Sequence, residues 1–147
     1  DRERIEIEKI MEYIKFLRKR KNEPWFKLYP EKDPDDNFQI WKGYLTIPKH
    51  YPQIKFDIRV ILSSEYPIVP PRCFTESTIL DYTGKLYPKN DWREKDKKFV
   101  MICHDHLSKT KSWDRRLGIV HFFMRQIWVG WAAQQNQIIK EFKNSNQ

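Results

Sequence analysis

An α+β domain, with a helix toward each end and an antiparallel meander between them, follows from three observations. Isoleucine and leucine recur at helical spacing near the start of the chain. Ring and β-branched residues then fill three closely spaced central segments, one of which alternates cleanly. Helical periodicity returns after Leu117. The chain has 147 residues, one domain's worth, and no linker or internal repeat divides it, so a single domain over 1–147 is expected.

The first helix is expected from Arg4 to Lys19. Ile7, Ile10, Ile14 and Leu17 form its apolar stripe, Met11 widens it, and charged residues fill the rest. It runs into Arg18-Lys19-Arg20-Lys21 and stops before Pro24. Cations at a helix C-terminus complement its dipole; the same cluster would also dock an acidic partner. Trp25 to Tyr29 reads as a short strand, and Glu31 to Asn37 as a polar turn. Phe38 to Ile47 is the second strand. Lys55 to Leu62 is the third, with Phe56, Ile58, Val60 and Leu62 on one face and Lys55, Asp57 and Arg59 on the other. Short connections between such strands make a meander rather than βαβ units. The stretch Tyr66-Pro67-Ile68-Val69-Pro70-Pro71 ends the third strand, since proline cannot donate to a ladder.

From Ser77 to Lys98 regular patterning fades. Within Asp91 to Lys98 every residue but Trp92 is charged, which predicts a long surface loop. Phe99 to Ile102 turns apolar and leads into Cys103. A polar connection follows, and the second helix is expected from Leu117 to about Lys140, its buried side marked by Leu117, Val120, His121, Met124, Ile127, Trp128 and Trp131.

Composition narrows the chemistry. Four glycines cannot assemble a Walker A loop or a GxGxxG fingerprint, and no GxSxG elbow is present. Two cysteines are too few for a disulfide framework, which favours a reducing, cytoplasmic setting. No apolar run is long enough for a membrane span, and no signal peptide is read. The net charge of +8 suits an acidic partner, a nucleic acid, or a solvated surface with no partner.

Reactive side chains crowd at Cys103-His104-Asp105-His106. Three readings stay open on the residues alone. Cys103 closes an apolar stretch as a small buried residue; or the cluster binds zinc, for which no CxxC or HxxxH pair is present; or Cys103 is a nucleophile where an apolar strand empties into a basic, histidine-bearing loop.

The order of motifs resembles the ubiquitin-conjugating core. Trp41-Lys42-Gly43, then Tyr66-Pro67-x-x-Pro70-Pro71, then Ile102-Cys103 and Trp113 reproduce its Trp-x-Gly strand, its YPxxPP turn, its cysteine after a long loop and the tryptophan beyond. Within that superfamily the chain is similar to the conjugating enzymes of the ubiquitin-fold modifier, the ufmylation branch. The matching residues are Asn22-x-x-Trp25-Phe26-x-Leu28, Phe56-Asp57-Ile58, Asp105-His106, Gly118-x-x-His121 and Gly130-Trp131-Ala132-Ala133. The His-Pro-Asn tripeptide of ubiquitin-conjugating enzymes is absent. Lys89, following Gly84-Lys85, is the counterpart of the lysine in the ufmylation branch's Thr-Ala-Lys.

This resemblance implies a UBC-like fold and an enzyme that carries a small ubiquitin-like modifier as a thioester on Cys103. It implies no metal and no cofactor. Its partners would be an adenylating activating enzyme, the modifier, a ligase and a lysine-bearing substrate, rather than nucleic acid. Lys89, Asn90, His106 and backbone N–H groups become candidate donors to the developing oxyanion, and Asp105 the residue that orients or deprotonates the incoming amine. The first helix, with Arg18, Lys19, Arg20 and Lys21, becomes the dock for the activating enzyme. Trp41, Trp113, Tyr66, Pro70 and Pro71 are scaffold, and His121 is a core histidine. The alternative from another class is a binding module on the same fold whose cysteine is inert; a basic RNA-binding domain is a third.

Overall fold

The computed structural model describes residues 2–31, 38–76, 86–94, 97–102 and 113–145. It is an α+β arrangement, with an N-terminal helix, an antiparallel sheet and C-terminal helices. Helix α1 (Arg2–Lys19) presents Ile10 to the core, with Ile7, Tyr13, Ile14 and Leu17 packed beside it. Met11 does not join that stripe: it is 54% exposed, because it lies one residue past Ile10 and so about 100° further round the helix. The buried position that the isoleucines leave is taken by Glu6, one turn before Ile10.

Strands β1 (Phe26–Glu31), β2 (Phe38–Thr46), β3 (Lys55–Ser63) and β4 (Arg72–Glu76) pair in chain order, as a meander should. Ile58, Val60 and Leu62 of β3 are buried on the helix side, as their alternation predicts. The opposite face is not the expected solvent face throughout. Arg59 is buried too, held in register between Lys42 on β2 and Phe74 on β4, and its Nη1 donates to the Ile58 carbonyl at 2.8 Å. An interior strand flanked on both sides covers an arginine stem that an edge strand would expose.

Of the loop predicted over 77–98, residues 77–85, 95 and 96 lie outside the described residues, and the rest is corrected. Leu86–Glu94 forms β5 and Lys97–Ile102 forms β6, and the sheet order is β1-β2-β3-β4-β6-β5. Asp91, Arg93 and Glu94 of the charged run therefore lie on the outer strand, and Lys97 and Lys98 open β6. Edge strands are often charged, which blocks edge-to-edge pairing, so the composition of a loop and of a protected edge look alike.

The C-terminal region is one continuous helical rod: α2 (Ile119–Phe122), a π turn (Phe123–Ile127) and α3 (Trp128–Ser145). Its buried residues are Ile119, Phe122, Phe123, Ile127, Trp131 and Ile138. Met124 and Trp128, expected inside, are 44% and 39% exposed. Ile127 and Trp131 are buried as expected, whereas nearer the start of the rod the neighbouring rings Phe122 and Phe123 take the buried side instead of Met124. Trp131 reaches the sheet, its Nε1 donating to the Thr46 carbonyl at 3.2 Å and its ring meeting Phe56 edge-on at 5.9 Å. Trp25 and Phe26 complete an aromatic cluster with Phe123. Trp41 is wholly buried, and its Nε1 donates to the Gln39 side chain. A Cβ on Gly43 would overlap the Lys27 carbonyl oxygen of β1, so only glycine lets the two backbones approach there.

Candidate active site

The proline-rich turn 66–71 is tied down by a polar knot between the two helices. Glu6 is fully buried and accepts three contacts: the Tyr66 hydroxyl at 2.7 Å, the Ile119 backbone N–H at 2.9 Å, and an ion pair with Arg2 Nε at 2.9 Å. Arg2 also donates from Nη2 to the Leu117 carbonyl at 2.6 Å and lies 5.4 Å from the centre of the Tyr66 ring. A carboxylate on the first turn of a helix satisfies a free N–H and complements the dipole. Here α1 supplies that carboxylate across space to the start of α2. The close fit leaves no side chain at Gly118, where a Cβ would stand 2.8 Å from Glu6 Oε2.

On the other side of the turn, Trp113 Nε1 donates to the Pro67 carbonyl at 2.8 Å, and its ring lies 6.1 Å from that of Tyr66. Pro71 is buried and Pro70 half-buried. The contacts of Trp41, Tyr66 and Trp113 and the burial of the two prolines accord with the scaffold role expected of them. Burial, the largest influence, and the Glu6 carboxylate together hold the Tyr66 phenol well above its ordinary value, against the opposing pull of Arg2. Tyr66 is a neutral donor at any physiological pH.

The residues expected to carry chemistry divide into three groups. Cys103, Asp105 and His106 lie outside the described residues. The last residue of β6, Ile102, pairs with Leu86, so the strand that Cys103 follows is tied on both sides, to β4 and to β5. Lys89 and Asn90 lie on β5 where its pairing with β6 is irregular: the register jumps from Tyr87↔Met101 to Trp92↔Phe99, so residues 88–91 face Val100 alone. Such a bulge interrupts the ladder and leaves backbone groups unpaired. His121 is half-buried on α2; desolvation first, then the charge of Arg125, pushes its pKa below the usual value. That fits a neutral packing histidine.

Cys73 faces the core. It is completely buried, and burial alone pushes its thiol well above the ordinary range, which makes it unreactive. It therefore acts as packing, and Cys103 is the sequence's other thiol. Arg18 and Lys19 form the last turn of α1, and Arg20 and Lys21 follow in its cap. Lys21 adopts a left-handed conformation with φ 62°, Asn22 N–H returns to the Leu17 carbonyl at 2.8 Å, and Lys21 N–H bonds the Arg18 carbonyl at 2.9 Å. This is a Schellman cap with lysine where glycine is usual. Among the described residues, none of the four cations makes an ion pair; Arg20 lies over the Phe16 ring, 4.5 Å from its centre.

Two features escape the sequence reading. One is Glu6, whose position on the isoleucine stripe was the available signal. The other is a tyrosine pair, Tyr44 and Tyr51, beside the end of α1. Among the described residues no helix is long and apolar enough to cross a membrane. No protein-family model, no curated protein and no solved structure matches the chain.

Proposed function

We propose that the protein is a ubiquitin-like-protein conjugating enzyme of the ufmylation type, with a UBC-like fold, acting in the cytoplasm. The observation that carries the reading is the order of its motifs together with how the fold uses them. Trp41-Lys42-Gly43 lies on β2, with Trp41 buried and Gly43 at a close strand approach; Tyr66 and Pro71 form a pinned turn; Trp113 bonds that turn's backbone. Cys103 follows a strand directly, and the chain's other thiol is walled into the core.

On this reading the Cys103 thiolate attacks the thioester joining the modifier's C-terminal glycine to the activating enzyme. A new C–S bond forms as the enzyme's own thiolate leaves. A substrate lysine amine then attacks the Cys103 thioester, the amide bond forms, and the Cys103 thiolate departs while the amine's proton goes to a base, the role assigned to Asp105. Lys89, Asn90, His106 and backbone N–H groups stabilise the carbonyl oxygen as it gains charge. The activating enzyme docks on α1 and its basic end, and a ligase brings the substrate.

The test is an adduct assay with ATP and an activating enzyme–modifier pair of the ufmylation type, verified by its own thioester. A modifier adduct that disappears with reductant is expected, and Cys103→Ser should turn it into a reductant-resistant oxyester. If neither adduct forms, the catalytic reading fails and the inert binding module takes its place.

A further inference from the structure

The solvent side of the C-terminal rod carries one exposed seam. Arg125, Trp128, Val129, Ala132, Ala133 and Asn136 are all exposed and recur at intervals of three and four. They therefore form a single row along the helix, away from the buried Ile127, Trp131 and Ile138. Val129 is 60% exposed, and the Trp128 ring rests against Trp25 on one side only, with ring centres 4.9 Å apart. Residues 126–139 contain no charged side chain, the longest such stretch in a chain whose net charge is +8. Gly130 stands beside Ala133 at the edge of the seam, and a Cβ on it would meet nothing within 4 Å. No contact inside the chain accounts for a glycine in mid-helix, where it weakens the helix; close approach by a second backbone does.

The seam is graded in size. Arg125, Trp128 and Val129 fill its first half, and Ala132, Ala133 and Asn136 its second. An antiparallel copy crossing between Gly130 and Trp131 would set Val129 over Ala132, Trp128 over Ala133 and Arg125 over Asn136, each pair occurring twice. Every larger side chain then meets a smaller one, as interdigitating helices require. A parallel copy would set Trp128 against Trp128 and Arg125 against Arg125, and would leave the alanines facing a gap.

We propose that this seam is the interface of a two-fold, antiparallel pairing of the chain with a second copy of itself. Size and charge together select that occupant. A two-fold contact sets a surface against itself, so a patch with net charge repels its own copy, and a basic chain meets itself closely where charges are fewest. The large-over-small match is built into one sequence read in both directions. Three turns of helix against three turns bury less than about 1,200 Å² in total, the size of weak, transient complexes, so pairing in the micromolar range is expected. The pairing does not depend on the chemistry of Cys103.

Sedimentation equilibrium on the whole chain tests it. The mean mass should rise from one chain toward two as the concentration increases through the micromolar range. Val129→Lys and Ala132→Glu should each weaken the pairing about tenfold or more, because each puts an unpaired charge beneath the facing copy. An equimolar mixture of the two variants should pair more tightly than either alone, since the antiparallel register brings the two altered positions face to face. Arg72→Glu, exposed on β4, should change nothing. Circular dichroism melts on each variant separate lost pairing from lost fold. The proposal is overturned if the chain stays monomeric throughout, if Val129→Lys pairs as tightly as the original, if the mixture gains nothing over the single variants, or if Arg72→Glu abolishes the pairing.

Discussion

The two ends of α1 use charge in opposite ways. In its first two turns Glu6 is sealed from water with a cation, a phenol and a backbone N–H as partners. At its last turn four consecutive basic residues are exposed and, among the described residues, have no ion pair. A buried charge persists only when its partners are complete, and removing one member leaves the rest stranded. An exposed cation contributes little to folding and stays free to meet something else. The first end fastens the helix to the proline turn and to α2; the second leaves its charge open to solvent.

Breaking the buried end gives the largest expected effect. Glu6→Ala leaves Arg2, the Tyr66 hydroxyl and the Ile119 N–H without their acceptor and should cost about 3–5 kcal/mol. Denaturant titration would measure it; a loss below about 1 kcal/mol would show that the knot is not what holds these elements together.

Tyr66→Phe keeps the ring and removes one bond to the same carboxylate, so a smaller loss of about 1.5–3 kcal/mol is expected. It also has a pH signature. The fold raises the Tyr66 pKa above its ordinary value of 10.0, so the folded chain holds that proton after the unfolded chain has released it. The stabilisation is complete below about pH 10 and is lost as the pH rises beyond it. Denaturation midpoints followed from about pH 9 to 11 should fall less steeply for Tyr66→Phe than for the original protein.

The smallest effect is at the open end and has the opposite sign. Lys21 holds φ 62° at the cap, where an L side chain is strained, so Lys21→Gly should stabilise by about 1 kcal/mol. A thermal melt that shifts downward instead would mean that Lys21 makes a contact worth more than the strain.

Helix α1 and strands β1 to β3 were legible because their signals are local: helical spacing of isoleucines, alternation from Phe56 to Leu62, prolines at 67, 70 and 71. What was not legible depends on neighbours distant in the chain. Glu6 looks like one more charge on an amphipathic helix until Tyr66 and Ile119 arrive. The charges from Asp91 to Lys98 look like a loop until β6 pairs with β4 and leaves β5 outermost. On the C-terminal rod, apolar residues on two adjacent rows compete, and only contact with Trp25 and Phe26 decides for Phe123 over Met124. Of the candidate site, the scaffold residues were legible because large rings in fixed order have few places to go. The tyrosine pair was not, since Tyr44 and Tyr51 meet only through the fold of the chain between β2 and β3.

The close approach at Gly43 bears on how the motifs weigh as ancestry. Any larger residue there would collide with the backbone of β1, so its identity is enforced by architecture before chemistry has a say. A descendant that kept this sheet would still need Gly43, whatever its chemistry. In comparisons among relatives, Gly43 therefore reports a shared scaffold and not a shared activity.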